Sequence, residues 1–355
     1  MSISLAEASK LSNDVLLQGI IETIIKDSPI LQELPFIQIV GNSLKYNREK
    51  SLPTVSWYAP VSGDWTASEP EFEQVTATLQ ILGGDADVDN FLKSTRSNIQ
   101  DLETAVIEQK AKAVQHEFEN AFLNGSGASN QPTGLYLLLK GTAWVASTAY
   151  ALGDFVVPTE GLENGFRYEC TTAGASGTGE PIWPLVEGAT VADNNVTWTC
   201  RYGGHLGSGI NGALLTLNNL DVLIDLVRGG KPAMLLMSKR TRRKLQSLVR
   251  ASGAILETRP GMFMEQIQLY NGIPIAVNDW VKDDYLVGNS ADCSVIFAFQ
   301  IGEGAVCGLS SPEMLQVERL GSLETKDATR TMVKWYVSLA LFSTVKAAML
   351  TGVRD

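Results

Sequence analysis

The sequence predicts an α+β protein of two or three domains built around one long helix, and three observations carry that prediction. The first is a periodic segment from Ser97 to Gly134. In it Ile99, Leu102, Val106, Val114, Phe118 and Phe122 recur at helical spacing and so share one face. The second is polar and apolar alternation from Lys45 to Leu82, punctuated by Pro53, Pro60, Gly63 and Pro70, which fits a long two-stranded hairpin. The third is the succession of helix and strand signals from Leu220 to Phe299, which fits a compact α/β unit.

Taken in order, residues 11–35 place Leu16, Leu17, Ile20, Ile21, Ile24 and Ile25 at helical spacing before Pro29 and Pro35, giving an amphipathic arm. The hairpin follows. A hairpin alone is marginally stable in water, so this one must lean on its own core or on another chain. Asp85, Asp87 and Asp89 have the spacing of a calcium loop. Asn90 stands where the turn Gly belongs and Arg96 where the bidentate Glu belongs, so they are assigned to the wet face of a strand. The long helix has a capping box at Ser97 and Gln100 and a left-handed stop at Asn124-Gly125, which makes it roughly 40 Å long.

Residues 141–203 change character. Trp144, Tyr150, Phe155, Phe166, Tyr168, Trp183 and Trp198 stand among Gly and Thr, and the exit, Gly203 to Gly209, is glycine-rich. This predicts an inserted all-β module with close-set ends and a flexible exit. Beyond it come a helix around Leu220, Leu223, Ile224 and Val227, a strand at Pro232 to Met237 and a basic helix opening on Lys239. Strands follow at Phe263 to Tyr270, Ile273 to Val277 and Ser294 to Phe299, then a β-rich stretch from Glu313 to Val345.

The helix end and following loop, Ala121-Phe-Leu-Asn-Gly-Ser-Gly-Ala-Ser-Asn-Gln-Pro-Thr-Gly134-Leu135, resemble the junction after the spine helix in major capsid proteins of tailed bacteriophages. Three more stretches resemble that family in order: Lys45 to Gly83 its extended loop, Tyr270 to Asp279 its "G-x-P-[IV]" strand, and Thr329 to Val345 its late peripheral strand. The resemblance implies an N-terminal arm (1–44), an extended loop (45–83), a peripheral domain with the spine helix (84–134 and 310–355) and an axial domain (135–140 and 204–309), besides the module at 141–203. It implies self-assembly into pentamers and hexamers of an icosahedral shell. Leu16, Ile20, Ile24, Val75 and Leu79 would then meet neighbouring subunits, and Ile99, Leu102, Val106, Val114 and Phe118 would form the spine's core face. Scaffold, portal or decoration proteins are the further partners it implies, with a virion location after assembly in the host cytoplasm. An encapsulin-like nanocompartment shell is the rival within the same fold. Within the module, Trp144 to Val156 with Tyr168 resembles the "W…Y-x-x-G-D-x-V…Y" pattern of small chitin-binding-type carbohydrate modules. On that reading Trp144, Tyr150, Trp183 and Trp198 stack on a surface glycan, as in a tail or adhesion protein. On the other, favoured in so small a unit, they are its core.

Composition narrows the function classes. A formal net charge of -11 argues against gripping nucleic acid, though not against enclosing DNA without sequence-specific contact. The basic cluster from Lys239 to Lys244 fits a solvated face or a contact with a neighbouring subunit. No apolar run is long enough for a membrane helix, and Glu7, Lys10 and Asp14 occupy the place of a signal peptide's apolar core. Four cysteines without C-x-x-C spacing and two histidines offer no zinc set. Cys170 and Cys200 are near enough in sequence to pair, with free thiols favoured in a reducing compartment. The common nucleophile, phosphate-loop and zinc-protease motifs are missing, so no enzyme activity and no cofactor are expected.

Overall fold

A computed structural model describes residues 29–53, 55–58, 67–96, 102–260 and 266–354. Period-two alternation marks the peripheral sheet, whereas the central strands of the axial sheet are buried on both faces. The peripheral sheet is centred on the long strand Ala328–Leu341. One edge of that strand pairs with Gln80–Asp89 from Asp89↔Ala328 to Gln80↔Val337 without a register shift. Its other edge pairs first with Gln316–Ser322 and then with Val306–Ser310, which also carries the short parallel strand Phe36–Gln38. Val333, Trp335, Val337, Leu339 and Leu341 point to one face, where the spine helix Leu102–Asn124 packs through Val114, Phe118, Phe122 and Leu123. Its 23 residues span about 35 Å.

The axial sheet shares that core. Val295, Phe297 and Phe299 of Ser290–Phe299, Met234 and Leu236 of Met234–Met237, and Ala347 and Met349 of Ala347–Arg354 join the spine cluster. The intervening Ile296, Ala298, Leu235, Met237, Ala348 and Leu350 face the opposite way, under the helices Leu217–Leu226 and Lys239–Ala251. Each helix has an N-cap hydroxyl: Thr216 accepts from the Asn219 N–H and Ser238 from the Thr241 N–H.

Four sequence expectations are corrected. Residues 310–355 do not all return to the peripheral domain: Ala347–Arg354 lies inside the axial sheet, between Ser290–Phe299 and Val196–Gly207. Both its faces are buried, so it shows no alternation that would place it. The glycine-rich exit of the insert is no flexible link, because His205 to Gly207 pair in parallel with Met349 to Thr351. Its glycines serve close approach, since a Cβ on Gly204 would collide with the Ala347 carbonyl. Gly125 does not end the spine in a left-handed turn. A Cβ there would strike the carbonyls of Pro132 and Ala121, where the outgoing loop crosses back and the Gly134 N–H donates to the Gly125 carbonyl at 2.9 Å. Finally, Asp87 is buried rather than wet, held by Arg330 in a bidentate pair at 2.7 and 2.8 Å. That guanidinium holds its carboxyl below the usual range. Asp89 caps the helix Asn90–Arg96 through the N–H groups of Phe91 and Leu92, and Asp85 is exposed.

Residues 141–203 share a cluster of Trp144, Val156, Tyr168, Cys170, Val196, Trp198 and Cys200, and the longest strand of this stretch runs on into the axial sheet. Both thiols of the stretch are free and buried, with Cys170 opposite Trp198 and Cys200 opposite Tyr168. Burial pushes the Cys200 thiol up to about 11, so it is inert at neutral pH.

At the junction, His205 is 3% exposed. Its Nδ1 lies 3.2 Å from the Lys140 carbonyl and its Nε2 3.0 Å from the Thr351 hydroxyl and 3.6 Å from Glu163. The carbonyl requires Nδ1–H, leaving Nε2 as acceptor on a neutral ring. Burial lowers its pKa to about 4. The unfolded chain takes up this proton from about pH 6.5 downward and the folded chain does not, so stability falls with pH across that window, by about 3 kcal/mol at most. Burial raises Glu163, which opposes the loss at the acidic end. Melting temperatures at pH 7 and pH 4.5 should separate for the native chain and converge for His205→Asn.

Candidate assembly surfaces

The hairpin pairs Ser43–Ser51 with Glu71–Thr78, from Ser43↔Thr78 to Glu49↔Phe72 before a single register shift. Its base is footed on its own chain. Tyr46 donates its hydroxyl to the Leu341 carbonyl at 2.9 Å and meets Phe342 edge-on, while Arg48 donates to the Phe342 and Leu341 carbonyls. Leu44, Tyr46, Ala77 and Leu79 pack on the cluster of Ile39, Cys307, Leu309 and Ala340. Leu79 is therefore footing, and Val75, opposite Tyr46, is half-buried. Past this footing Leu52 and Val55 are exposed, Trp57 is fully exposed at 104%, and Phe72 is 63% exposed. The sequence reading missed this apolar tip. An aromatic pair, Trp57-Tyr58, in an otherwise polar and proline-rich stretch was the available signal.

Of the predicted arm residues, Leu16, Ile20 and Ile24 lie outside the described residues. The root of the arm is anchored, since Ile30 and Leu34 are buried in the spine cluster with Val114 and Phe118. Beside it runs a groove of about 660 Å³ lined by Leu31, Ala111, Val114, Met314, Leu315 and Trp335. Along the spine, Ile99 lies outside the described residues, Leu102 opens the helix, and Val106 is half-buried. Val114 and Phe118 are buried, with Phe118 4.8 Å from Trp335 between ring centres. At the far end Asn124 ties the helix to the axial domain, accepting from the Tyr285 hydroxyl at 2.6 Å and donating to the Trp280 carbonyl at 2.9 Å.

The four aromatics proposed to stack on a sugar separate into two pairs. Trp144 and Trp198 are buried, and both indole N–H groups donate to one Asp193 carboxylate oxygen, at 2.8 and 3.1 Å, so neither offers a ring face. Tyr150 and Trp183 are half-buried, Tyr150 edge-on to Trp198 and Trp183 stacked on Tyr168 at 4.2 Å. The other Asp193 oxygen accepts from the Gly177 N–H at 2.7 Å. Asp193→Ala strands three donors and is expected to destabilise the insert by about 4 kcal/mol, read as urea unfolding followed by tryptophan fluorescence.

Among the described residues there is no group of His, Cys, Asp and Glu able to hold a metal ion, and no helix long and apolar enough to cross a membrane. Residues 11–306 match the profile of the Phage capsid family. The chain belongs to the phage capsid family. No curated protein matches it significantly in sequence. Among solved structures it resembles the capsid of an empty GTA particle, at 17% identity and a TM-score of 0.62 over 98% of each chain. It also resembles the holo-SrpI encapsulin complex from Synechococcus elongatus, at 16% identity and 0.61 over 99% of this chain and 96% of that one. A third similar structure comes from Mycobacterium phage Adephagia, at 14% identity and 0.56 over 99% and 98% of the two chains. At such identities the likeness concerns the fold alone. Membership of the phage capsid family makes this chain a major capsid shell protein, a structural protein of the shell.

Proposed function

We propose that this capsid protein builds the icosahedral head shell of a tailed phage, assembling from copies of itself in the host cytoplasm around DNA that it encloses without reading. The observation that carries the reading is the hairpin, footed through Tyr46 and Arg48 and bearing the exposed apolar tip of Leu52, Val55, Trp57 and Phe72. Such a patch on an otherwise solvated element is a surface for another chain. The arm, whose root is fixed at Ile30 and Leu34, supplies the second reach toward neighbours. Many weak contacts of this kind add up to a closed shell.

The encapsulin reading is the rival that the structural likeness keeps in view, since the two kinds of shell share this fold. Contents discriminate them. Particles purified from cells carrying the whole phage locus and treated with nuclease should retain protected DNA. Particles that hold a protein cargo and no DNA would favour the nanocompartment. The adhesion reading loses two of its four stacking rings, Trp144 and Trp198, to the module's core.

A further inference from the structure

The hairpin and the 141–203 stretch face each other across a cleft of about 530 Å³. Tyr46, Arg48 and Glu73 of the hairpin line it, as do Phe155, Arg167 and the turn from Phe342 to Val345. Strand alternation decides which side chains meet there. On the hairpin Tyr46 opposes Val75 and Arg48 opposes Glu73, so these four share a face, and the bonds from Tyr46 and Arg48 to the Leu341 and Phe342 carbonyls turn that face toward the body of the subunit. Phe72, opposite Glu49, lies on the other face. Across the cleft Tyr168 and Cys170 point into their own cluster, so Arg167 and Glu169 point away from it, on the same side as Arg201.

The charges on the two faces are unevenly matched. Glu169 is bridged to Arg201 at 2.9 Å. Arg48 commits Nε and Nη2 to the two carbonyls and holds Glu73 only through Nη1 at 3.8 Å, with the Glu73 side chain 42% exposed. Arg167 donates no hydrogen bond to any described residue; its guanidinium lies over the Phe155 ring at 4.3 Å, and its Nε is buried without an acceptor. Burial pulls the Arg167 pKa down, and the Glu73 carboxylate is the first charge to push it back. Leaving a buried cationic N–H without an acceptor is costly. Glu73 is placed to end that cost, since it lines the same cleft, lies on the facing side of the hairpin and has one long ion pair. Glu49 lines the cleft as well, but alternation turns its side chain to the hairpin's other face.

We propose that Arg167 and Glu73 form a latch, the hairpin leaning across the cleft until the Glu73 carboxylate bridges Arg48 and Arg167, so that residues 141–203 set the angle at which the apolar tip is presented. A carboxylate has two oxygens and can hold both guanidinium groups, one on each. The footing at Tyr46 and Arg48 is the pivot. Because Phe72 is on the far face, closing the latch leaves its ring exposed rather than covering it. Tethering favours Glu73 over a carboxylate of another copy, since it reaches Arg167 within one chain at a high effective concentration, without a second association. The inference goes beyond the capsid reading and holds for a shell of either kind.

The test is a double-mutant cycle in the full chain, read by hydrogen exchange and mass spectrometry with all variants compared in one assembly state. Glu73→Gln and Arg167→Gln should each speed exchange in Ser43–Ser51 and Glu71–Thr78 about fivefold, and the double variant should fall well short of the roughly twenty-fivefold that independent effects would give. Exchange in Asn164–Thr172 and Val196–Gly207 should stay unchanged, which separates a lost latch from a loosened sheet. Molar salt should bring the native chain close to the variants. A hairpin whose exchange ignores Arg167→Gln overturns the latch, and if those subunits also fail to assemble, Arg167 belongs to a contact with another copy. Independent effects overturn it too, because Glu73 would then act through Arg48 alone. Should Arg167→Gln loosen Asn164–Thr172, the cycle is repeated with Arg167→Met, which keeps the stem over Phe155 and removes the charge, and the same two outcomes decide.

Discussion

Serine at positions 57 and 72 is expected to abolish shell formation while leaving the monomer's melting transition unchanged. Trp57 is fully exposed and Phe72 is 63% exposed, so the folded subunit loses almost no packing when they are shortened. In a shell both rings would leave water. At roughly 25 cal/mol per Å² each is worth about 2 to 3 kcal/mol, so their joint loss weakens a contact by about a thousandfold. The footing behaves in the opposite way. Arg48→Ala removes the side-chain donor to the Phe342 carbonyl and leaves the Leu341 carbonyl with the Tyr46 hydroxyl alone, and should loosen the subunit itself. Substituting Val75 and Leu79 mixes the two effects, because Leu79 packs on the chain's own core. Light scattering and thermal melting on the same samples separate them.

Alanine at Gly204 is expected to cost at least about 3 kcal/mol, a large change for a single added methyl. The new Cβ would collide with the Ala347 carbonyl, which belongs to a central strand of the axial sheet and has no side-chain freedom with which to yield. Chemical denaturation should show a lower midpoint with an unchanged slope. The same geometry decides how the insert is to be removed. Excision must stop short of His205, whose strand pairs with Met349 to Thr351, or the axial sheet gains an open edge.

Much of this architecture was legible because it is periodic. The stripe through Val114 and Phe118 marked the spine, and the turn residues around Asn124 to Gly134 marked its exit loop. Alternation from Lys45 onward marked the hairpin. What stayed hidden depends on partners far away in sequence. Asp193 joins Trp144 across 49 residues, and Asp87 meets Arg330 across 243, so neither carboxylate announces that it is buried. Ala347–Arg354, buried on both faces, carries no period at all. The glycines at 203 to 207 suggested slack, although at Gly204 and Gly207 the absent Cβ is a packing requirement. At the candidate surface, the hairpin was anticipated and its exposed apolar tip was not. Trp57 sits in a loop, where no repeat distinguishes an exposed aromatic from a buried one.

The central claim is that this chain closes into shells, and negative-stain electron microscopy of the purified native protein, with sizing by light scattering, tests it most directly. Uniform closed particles, or rings of five or six subunits, are the predicted result. A monodisperse monomer at high concentration, even when co-expressed with the neighbouring genes of its locus, would contradict the account.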